Sequence, residues 1–367
     1  MIIDEAAMVD TRLLHQYSRL AQAKNWRTIL VGDHRQLDAV DAGGMFAELV
    51  NNPDVITVEL DTLHRFEHPW EATESLELRD ANPSAVDAYD RHGRIHGYAD
   101  QAAAIDAVAD AAFVGIVEGR DVLVMAPTNA IVDQLNTTIT QRLLDTGHLD
   151  PNQHIDIGDC EFYPGQAVVT RANDRRLTYG TNSEQWVRNG DRWQVNSGSR
   201  DGLHLTNTDT GHHLTVPAEY VAAGNVSVDY ASTIHRSQGA TVDEAHLLLG
   251  DRTNTKQLYV GATRGRTANH IHTAPPTFDP DQHGPATDVR EWTPQGAVTA
   301  ALARQPDQVS AFERRRQLRE FSSTPQQGNR RGHKPIDDRD ETPRQRATDD
   351  ASRLRHFTIR RSQGLTR

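Results

Sequence analysis

Ile2-Ile3-Asp4-Glu5-Ala6 and, further on, Thr28-Ile29-Leu30-Val31-Gly32-Asp33 decide how this chain is read. Both are short apolar runs that end on carboxylates, and the residues between them carry apolar positions at helical spacing. Residues 2 to 9 read as a buried strand, 10 to 23 as an amphipathic helix and Thr28 to Val31 as a second strand. Strand, helix, strand is the unit of a parallel sheet. Two such strands lying side by side finish at one edge, and that edge is where open α/β sheets take their ligands. Asp4 there suits a Mg²⁺ ion, and Glu5 suits the orientation or deprotonation of a water attacking a phosphate. Gln36, in Gly32-Asp33-His34-Arg35-Gln36-Leu37, can reach a terminal phosphate or that water. A polar turn closing the strand accounts for the same residues.

Downstream, Trp70 to Arg79 and Ser84 to His92 read as helices, 99 to 117 as a long alanine-rich helix, Val122 to Ala126 as a buried strand and Asn129 to Leu144 as the helix after it. From about 154 to 226 the pattern becomes short alternating runs: Ala167 to Thr170, Trp193 to Val195, Leu203 to Leu205 and His213 to Val216. Turn signals such as Asn189-Gly190-Asp191 and Asp209-Thr210-Gly211 separate them, which predicts a small β-barrel inserted into an α/β lobe. The α/β pattern then resumes with strands at Val226 to Tyr230, Ala245 to Leu249 and His270 to Thr273 and a helix at Thr255 to Thr263. Beyond about 275 few apolar residues remain, and the expectation is disorder broken by one helix near Val309 to Phe321.

The 367 residues are enough for two domains and a tail. Net charge is -12, unevenly spread: residues 311 to 367 carry 15 Arg plus Lys against 8 Asp plus Glu, net +7, leaving -19 for residues 1 to 310. An acidic body argues against indiscriminate coating of duplex DNA but leaves room for a local basic groove along one strand. The single cysteine, Cys160, excludes an intramolecular disulfide and has no zinc-ligand spacing around it. No apolar stretch approaches the roughly 18 residues of a spanning helix, and a cytoplasmic protein without a membrane span is expected.

Two further stretches bear on chemistry. Tyr230-Ala231-Ser232-Thr233-Ile234-His235-Arg236-Ser237-Gln238-Gly239-Ala240-Thr241 offers small hydroxyls, a glycine and a cation, suited to close approach by phosphates. Gln257-Leu258-Tyr259-Val260-Gly261-Ala262-Thr263-Arg264-Gly265-Arg266 sets Arg264 on a helix, where an arginine can neutralise charge on a transferred phosphoryl group. Taken alone, Arg264 and Arg65 read equally as solvated surface groups. Taken in order, Asp-Glu after a strand, Gly-Asp-x-x-Gln-Leu, Leu-x-x-Leu-His-Arg, Thr-Ile-His-Arg-Ser-Gln-Gly and Tyr-Val-Gly-Ala-Thr-Arg resemble motifs II to VI of superfamily 1 DNA helicases of the RecD-like branch. The resemblance spans about residues 1 to 274, including Leu123 to Asn136 and Val187-Arg188-Asn189-Gly190-Asp191. It is nearest to the helicase part of MobF-type conjugative relaxases, the TraA- and TrwC-like proteins.

This resemblance implies an α/β fold of RecA-like phosphate-loop NTPase lobes. Residues 1–65 would form a partial first lobe with motifs II, III and IV. Residues 66–153 and 226–274 would form a second lobe with motifs V and VI, 154–225 an inserted SH3-like β-barrel, and 275–367 a largely disordered basic tail. ATP and Mg²⁺ would be the cofactors. Asp4 would hold Mg²⁺ through water, Glu5 would activate the attacking water, Gln36 would sense the γ-phosphate, and Arg65 and Arg264 would clamp it. Gln238 and Gly239 would lie on the nucleotide side, with Thr233, His235 and Arg236 on single-stranded DNA. His235-Arg236 stands where relatives commonly have His-Lys.

Members of this branch move 5′ to 3′ along single-stranded DNA, and a conjugation partner or an upstream relaxase or Walker A segment would be the further partners. The departure is that no GxxxxGK[ST] occurs, since Lys24, Lys256 and Lys334 are the only lysines and none follows a glycine. The loop, its strand and a central strand of the first sheet would then precede Met1, and the expectation is a C-terminal fragment or truncated product inactive by itself. The alternative is a non-catalytic remnant that binds single-stranded DNA or complements a separate Walker A polypeptide.

Overall fold

A strand that begins at Ile2 stops after two residues. In the computed structural model, which describes residues 1–39, 43–60, 65–276, 292–305 and 357–360, β1 is Ile2–Ile3. The sequence predicts a strand as far as residue 9, but Glu5 turns the chain into the left-handed region (φ 47°) and Ala6–Met8 coil into a 3₁₀ turn. The turn is pressed against the next strand: a Cβ on Gly32 would stand 3.0 Å from the Ala6 nitrogen, so glycine is required there for close approach. Helix α1, Thr11–Ala23, starts where Asp10 accepts a hydrogen bond from the Leu13 N–H. It leads to β2, Thr28–Val31, which pairs in parallel with β1 in the register Ile2↔Ile29 and Ile3↔Leu30. Helix α2 (Met45–Val50) and β3 (Ile56–Val58) follow. Leu30, Phe46, Leu14, Ala6 and Leu49 form the core between the sheet and these helices.

The chain divides into two units, Met1–His64 with Pro306–Arg367 and Arg65–Gln305. The second opens with α3 (Pro69–Arg79), α4 (Ser84–Arg91), β4 (Ile95–Gly97), α5 (Gln101–Val117), β5 (Val122–Ala126) and α6 (Asn129–Asp145). An antiparallel section then intervenes. Its strands are β6 (Ile155–Ile157), β7 (Cys160–Phe162), β8 (Ala167–Thr170), β9 (Asp174–Tyr179), β10 (Gln185–Val187), β11 (Arg192–Ser199), β12 (Gly202–Asn207) and β13 (His213–Pro217). After a helical turn, α7 (Ala218–Tyr220), comes β14 (Val226–Val228). The order β13-β12-β11-β8-β14 makes one five-stranded sheet, with β6–β7 and β9–β10 as separate hairpins. Its core is Trp193, Val168, Leu203, Leu205 and Val216, with the indole N–H donating to Thr170 Oγ1 at 3.3 Å.

The sequence assigns Val226 to Tyr230 to the α/β part. The structure instead pairs Val226–Val228 with β8: Val226 enters the antiparallel core while Val228 packs against the core of the parallel part, and the chain joins the parallel sheet only after Tyr230. There β15 (Ala231–Thr233), β16 (Val242–Leu248), α8 (Thr255–Gly261) and β17 (Gly265–Thr273) complete an all-parallel sheet of order β15-β5-β16-β17-β4. Val108, Ala112, Leu135 and Ile139 of α5 and α6 bury Val124 and Ala126. The tail expected to be disordered from 275 contains α9, Pro294–Ala303. It is capped by Thr293 and buries Val298, Ala301 and Leu302, while Thr255 Oγ1 donates to the Leu302 carbonyl at 2.7 Å. A ten-residue apolar stripe is diluted by the polar composition around it, so a compositional reading passes over it. The helix expected near Val309 to Phe321 lies outside the described residues.

The last strand, β18 (Phe357–Arg360), belongs to the first unit, where the sheet order is β1-β2-β18-β3 with every pairing parallel. The register aligns Ile2, Ile29 and Ile56 in one row and Val31 and Val58 in the next, on the face opposite Leu30. That face is thinly covered: Ile2 is 70% exposed, Ile56 67% and Val58 43%.

In the second unit, one face of β16, β17 and β4 carries a chain of imidazoles. Tyr98 Oη lies 2.9 Å from His272 Nδ1, and His272 Nε2 lies 3.0 Å from His246 Nδ1. His246 Nε2 sits 3.1 Å from Glu244 Oε1, at an angle too bent for a regular hydrogen bond. Arg120 also pairs with Glu244, and the carboxylate's pKa is lowered, first by His246. The rings thus form one connected chain of donors and acceptors running from Tyr98 to Glu244. His96 Nε2 and His270 Nδ1, 3.0 Å apart, extend the cluster, with Arg94 3.3 Å from His270. Burial lowers the pKa of His96, His272 and His270, the last to about 3.

Groups held neutral in the fold contribute stability above the unfolded histidine value, near 6.5, and lose it as pH falls through the window below. Thermal unfolding followed between pH 8 and 5 is expected to show a falling midpoint, with a cost on the order of 2 kcal/mol at pH 5 from His270 alone. A midpoint flat across that range would contradict the neutral network.

Candidate functional site

In the first unit, β1 and β2 finish side by side, and their continuations carry the carboxylates. Asp4 and Glu5 are exposed, and Asp4 Oδ1 accepts the Glu5 N–H at 2.9 Å. Glu5 is one of the few non-glycine residues with positive φ, a conformation costing on the order of 1 kcal/mol and common where a side chain must be aimed. Past β2, Asp33 Oδ1 accepts the Arg35 N–H at 2.9 Å, and Gln36 Nε2 lies 3.4 Å from Asp33 Oδ2. The Ala39 N–H donates to the Ala7 carbonyl at 3.2 Å, stitching this loop to the 3₁₀ turn beyond Glu5. Asp4, Glu5 and Gln36 therefore share the C-terminal edge of one parallel sheet. An exposed carboxylate at such an edge fits Mg²⁺, which keeps several waters and takes one or two protein oxygens.

The second unit brings Arg65 and Arg264 to one turn. The sequence sets Arg264 on a helix, whereas α8 ends at Gly261 and Arg264 lies beyond it, 1% exposed. Its Nε donates to the Val260 carbonyl at 2.9 Å, a cation closing the carbonyl end of its own helix. Arg65 donates to the Thr263 carbonyl. Residues the sequence did not single out hold this turn. Asn269 Oδ1 accepts the Gly265 N–H at 2.6 Å, while its Nδ2 donates to Glu71 Oε1 at 3.0 Å. Tyr89 Oη donates to the Ala262 carbonyl at 3.1 Å. Burial raises Glu71 to about 7, against the lowering effect of its bond to Asn269. Their signal was a polar residue on an otherwise apolar helix face or strand, which alone does not distinguish a positioning group from a surface one.

Thr233, His235, Arg236, Gln238 and Gly239 lie in or beside a single tight turn after β15. The Arg236 and Ser237 N–H groups donate to the Thr233 carbonyl at 2.9 and 3.2 Å, Ser237 Oγ donates to Ile234, and Gly239 takes φ 84°, which favours glycine. His235 is half-buried, and burial lowers its pKa. Asn136 on α6 fixes the chain leading into the turn: its Oδ1 accepts the Tyr230 and Ala231 N–H groups at 3.0 and 2.8 Å, and its Nδ2 donates to the Ala231 carbonyl at 3.3 Å.

The turn faces a cavity of about 710 Å³ between α6 and the antiparallel section. Arg236 lines it, as do Arg171 after β8 and Asn189 of the Asn189-Gly190-Asp191 turn. Arg171 Nε donates to Ser227 Oγ at 2.6 Å, and its pKa is lowered first by burial and then by the charge of Arg236. Thr233 and His235, expected alongside Arg236, do not line this cavity. Asp133 and Glu161 line the same cavity, so the place for an anion is beside the two arginines rather than throughout it. Among the described residues one group has metal-ligand spacing, the exposed His154, Asp156 and Glu161, of which Glu161 also lines this cavity.

Comparison with known proteins fits this arrangement. An AAA-domain family model matches residues 1–100. The probable conjugal transfer protein TraA of Sinorhizobium fredii is 28% identical over 268 residues, covering 72% of this chain and 23% of that protein. The RecBCD enzyme subunit RecD of Mycobacterium tuberculosis is 30% identical over 289 residues, covering 72% of this chain and 48% of its own length. The chain is related in sequence to these TraA and RecD proteins. It spans about a quarter of TraA and half of RecD. A crystal structure of Pif1 helicase from Bacteroides in complex with ADP-AlF3 and single-stranded DNA superimposes with a TM-score of 0.50 at 15% identity, over 88% of this chain and 75% of that one, which shows the fold.

Replacing Asn136 by leucine, close in volume, leaves two buried backbone N–H groups without an acceptor and is expected to cost about 2–4 kcal/mol. Urea unfolding of the variant measures it, and a loss below about 0.5 kcal/mol would show that the amide does not hold the turn.

Proposed function

We propose that this chain is the motor region of a conjugative relaxase-type protein, an ATP-dependent translocase that moves 5′ to 3′ along single-stranded DNA in the cytoplasm. The observation that carries the reading is the pairing of Arg236 with Arg171 across one cavity, one from the turn after β15 and the other from the antiparallel section. Such a cavity can take a phosphate backbone beside its arginines, with the Thr137 and Thr140 hydroxyls of α6 and the Asn189 amide among its lining. The RecD-like relatives and the Pif1 complex with single-stranded DNA support the same substrate class.

In this reading residues 1–65 and 66–274 act as two RecA-like lobes, with 154–225 as an inserted SH3-like module. Asp4 would hold Mg²⁺ through water, Glu5 would take a proton from the attacking water and Gln36 would sense the terminal phosphate. Arg65 and Arg264 neutralise charge on the transferred group, and Gln238 and Gly239 couple the nucleotide to the DNA held by Thr233, His235 and Arg236. For Arg264 this requires that its guanidinium leave the Val260 carbonyl when nucleotide binds. Bound MgATP would supply the phosphoryl group for transfer to water.

A second reading rests on one observation, that GxxxxGK[ST] occurs nowhere in the 367 residues. The phosphates then find no amide nest and no lysine in this chain, and the chain acts as a single-stranded-DNA-binding or complementing partner of a polypeptide that has both. Binding of a labelled oligothymidylate, followed by fluorescence anisotropy across a salt series, tests the shared claim. Arg236→Gln and Arg171→Gln are each expected to weaken binding and reduce the salt slope by about 0.7. Unchanged affinity and slope in both would remove DNA from this cavity. For the choice between readings, the purified chain is expected to show no ATP turnover; turnover abolished by Glu5→Gln would assign hydrolysis to the chain itself.

A further inference from the structure

β2 and β3 belong to one sheet yet do not touch, and the strand between them is drawn from the far end of the chain. The register runs Phe357↔Thr28, Thr358↔Ile29, Ile359↔Leu30 and Arg360↔Val31 on one side, and Thr358↔Ile56, Ile359↔Thr57 and Arg360↔Val58 on the other. A strand paired on both sides commits its backbone N–H and C=O groups to the two ladders. Among the described residues β3 has no other strand partner, so without β18 it is a lone extended segment and β2 presents a bare edge of donors and acceptors. Three exposed residues, Ile56, Thr57 and Val58, have little packing to keep them extended, and the two ladders supply what packing does not.

We propose that Phe357–Arg360 is a built-in donor strand. It fills a parallel slot in the sheet whose edge carries Asp4 and Gln36, and another polypeptide can add a strand to that slot only by displacing it. The inference rests on strand pairing and stands whether or not the chain is a helicase. It gives the C-terminal segment a definite occupant's role: it orders β3 and braces β2, and β2 leads directly into Gly32, Asp33 and Gln36. Recognition of this kind runs through main-chain hydrogen bonds, so it tolerates side-chain changes and fails where an N–H is removed.

Hydrogen exchange on the full chain, read by mass spectrometry, tests it through Ile359→Pro, which removes a ladder donor, and Ile359→Val, which keeps it. Amides of Thr28–Val31 and Ile56–Val58 are expected to exchange at least about tenfold faster in Ile359→Pro and at the wild-type rate in Ile359→Val, while Val242–Leu248 in the second unit stays protected in both. A synthetic peptide of residues 353 to 364, added to the Ile359→Pro chain, is expected to restore protection of β2 and β3. Unchanged exchange of β2 and β3 in Ile359→Pro overturns the proposal, as does a loss of protection throughout the chain that the peptide does not restore.

Discussion

One side-chain amide ties the second unit together. Asn136 sits on the buried face of α6, among Val132, Leu135 and Ile139, where a polar group is costly unless every hydrogen bond is made. It makes three, all to the backbone of Tyr230 and Ala231, at the point where the chain leaves the antiparallel section and rejoins the parallel sheet. That junction fixes where β15 begins, β15 fixes the turn through Gly239, and the turn fixes Arg236 against Arg171. The arginine cavity is thus set by an interaction made on another element. A leucine at 136 would fill the space and lose the aim.

Much of the parallel architecture was legible because it is written in short apolar runs followed by polar turns. Val122 to Ala126 and Thr28 to Val31 are strands over the residues read from sequence, and α6 differs by one residue at its end. The misreadings share a cause. At Glu5 the periodicity of residues 2 to 9 was overridden by a close approach to Gly32 that no local pattern announces. At Val226 an apolar alternation fits either sheet, and which one it joins is a matter of partners rather than of propensity. Helix α9 was hidden by the composition around it. Arg264 was legible as a residue worth naming, but its burial and its bond to Val260 belong to tertiary structure. Glu71 and Asn269 are invisible to motif reading, since they touch each other across 198 positions of sequence.

The imidazole cluster and the Arg264 turn illustrate two ways of keeping polar groups inside. Around His246 and His272 the rings partner one another, with the Glu244 carboxylate at the end of the chain. Around Arg264 the satisfaction comes from backbone carbonyls at the end of α8, with Asn269 and Tyr89 holding the adjoining peptide groups. The first arrangement is built from side chains alone. The second holds a guanidinium through the Val260 carbonyl and the Thr263 hydroxyl.

The antiparallel section also bears on how the polypeptide is made. β5 pairs with β15 through Val124 and Ala231, 107 positions apart (124 to 231), and everything from β6 to β14 is synthesised in between. A ribosome adding about 5–20 residues per second delivers the second partner several seconds after the first. During that wait the section can condense on its own Trp193 core, while the face of β5 that will meet β15 stays unpaired. Closure of this long loop, rather than formation of any single helix, then sets the pace of maturation.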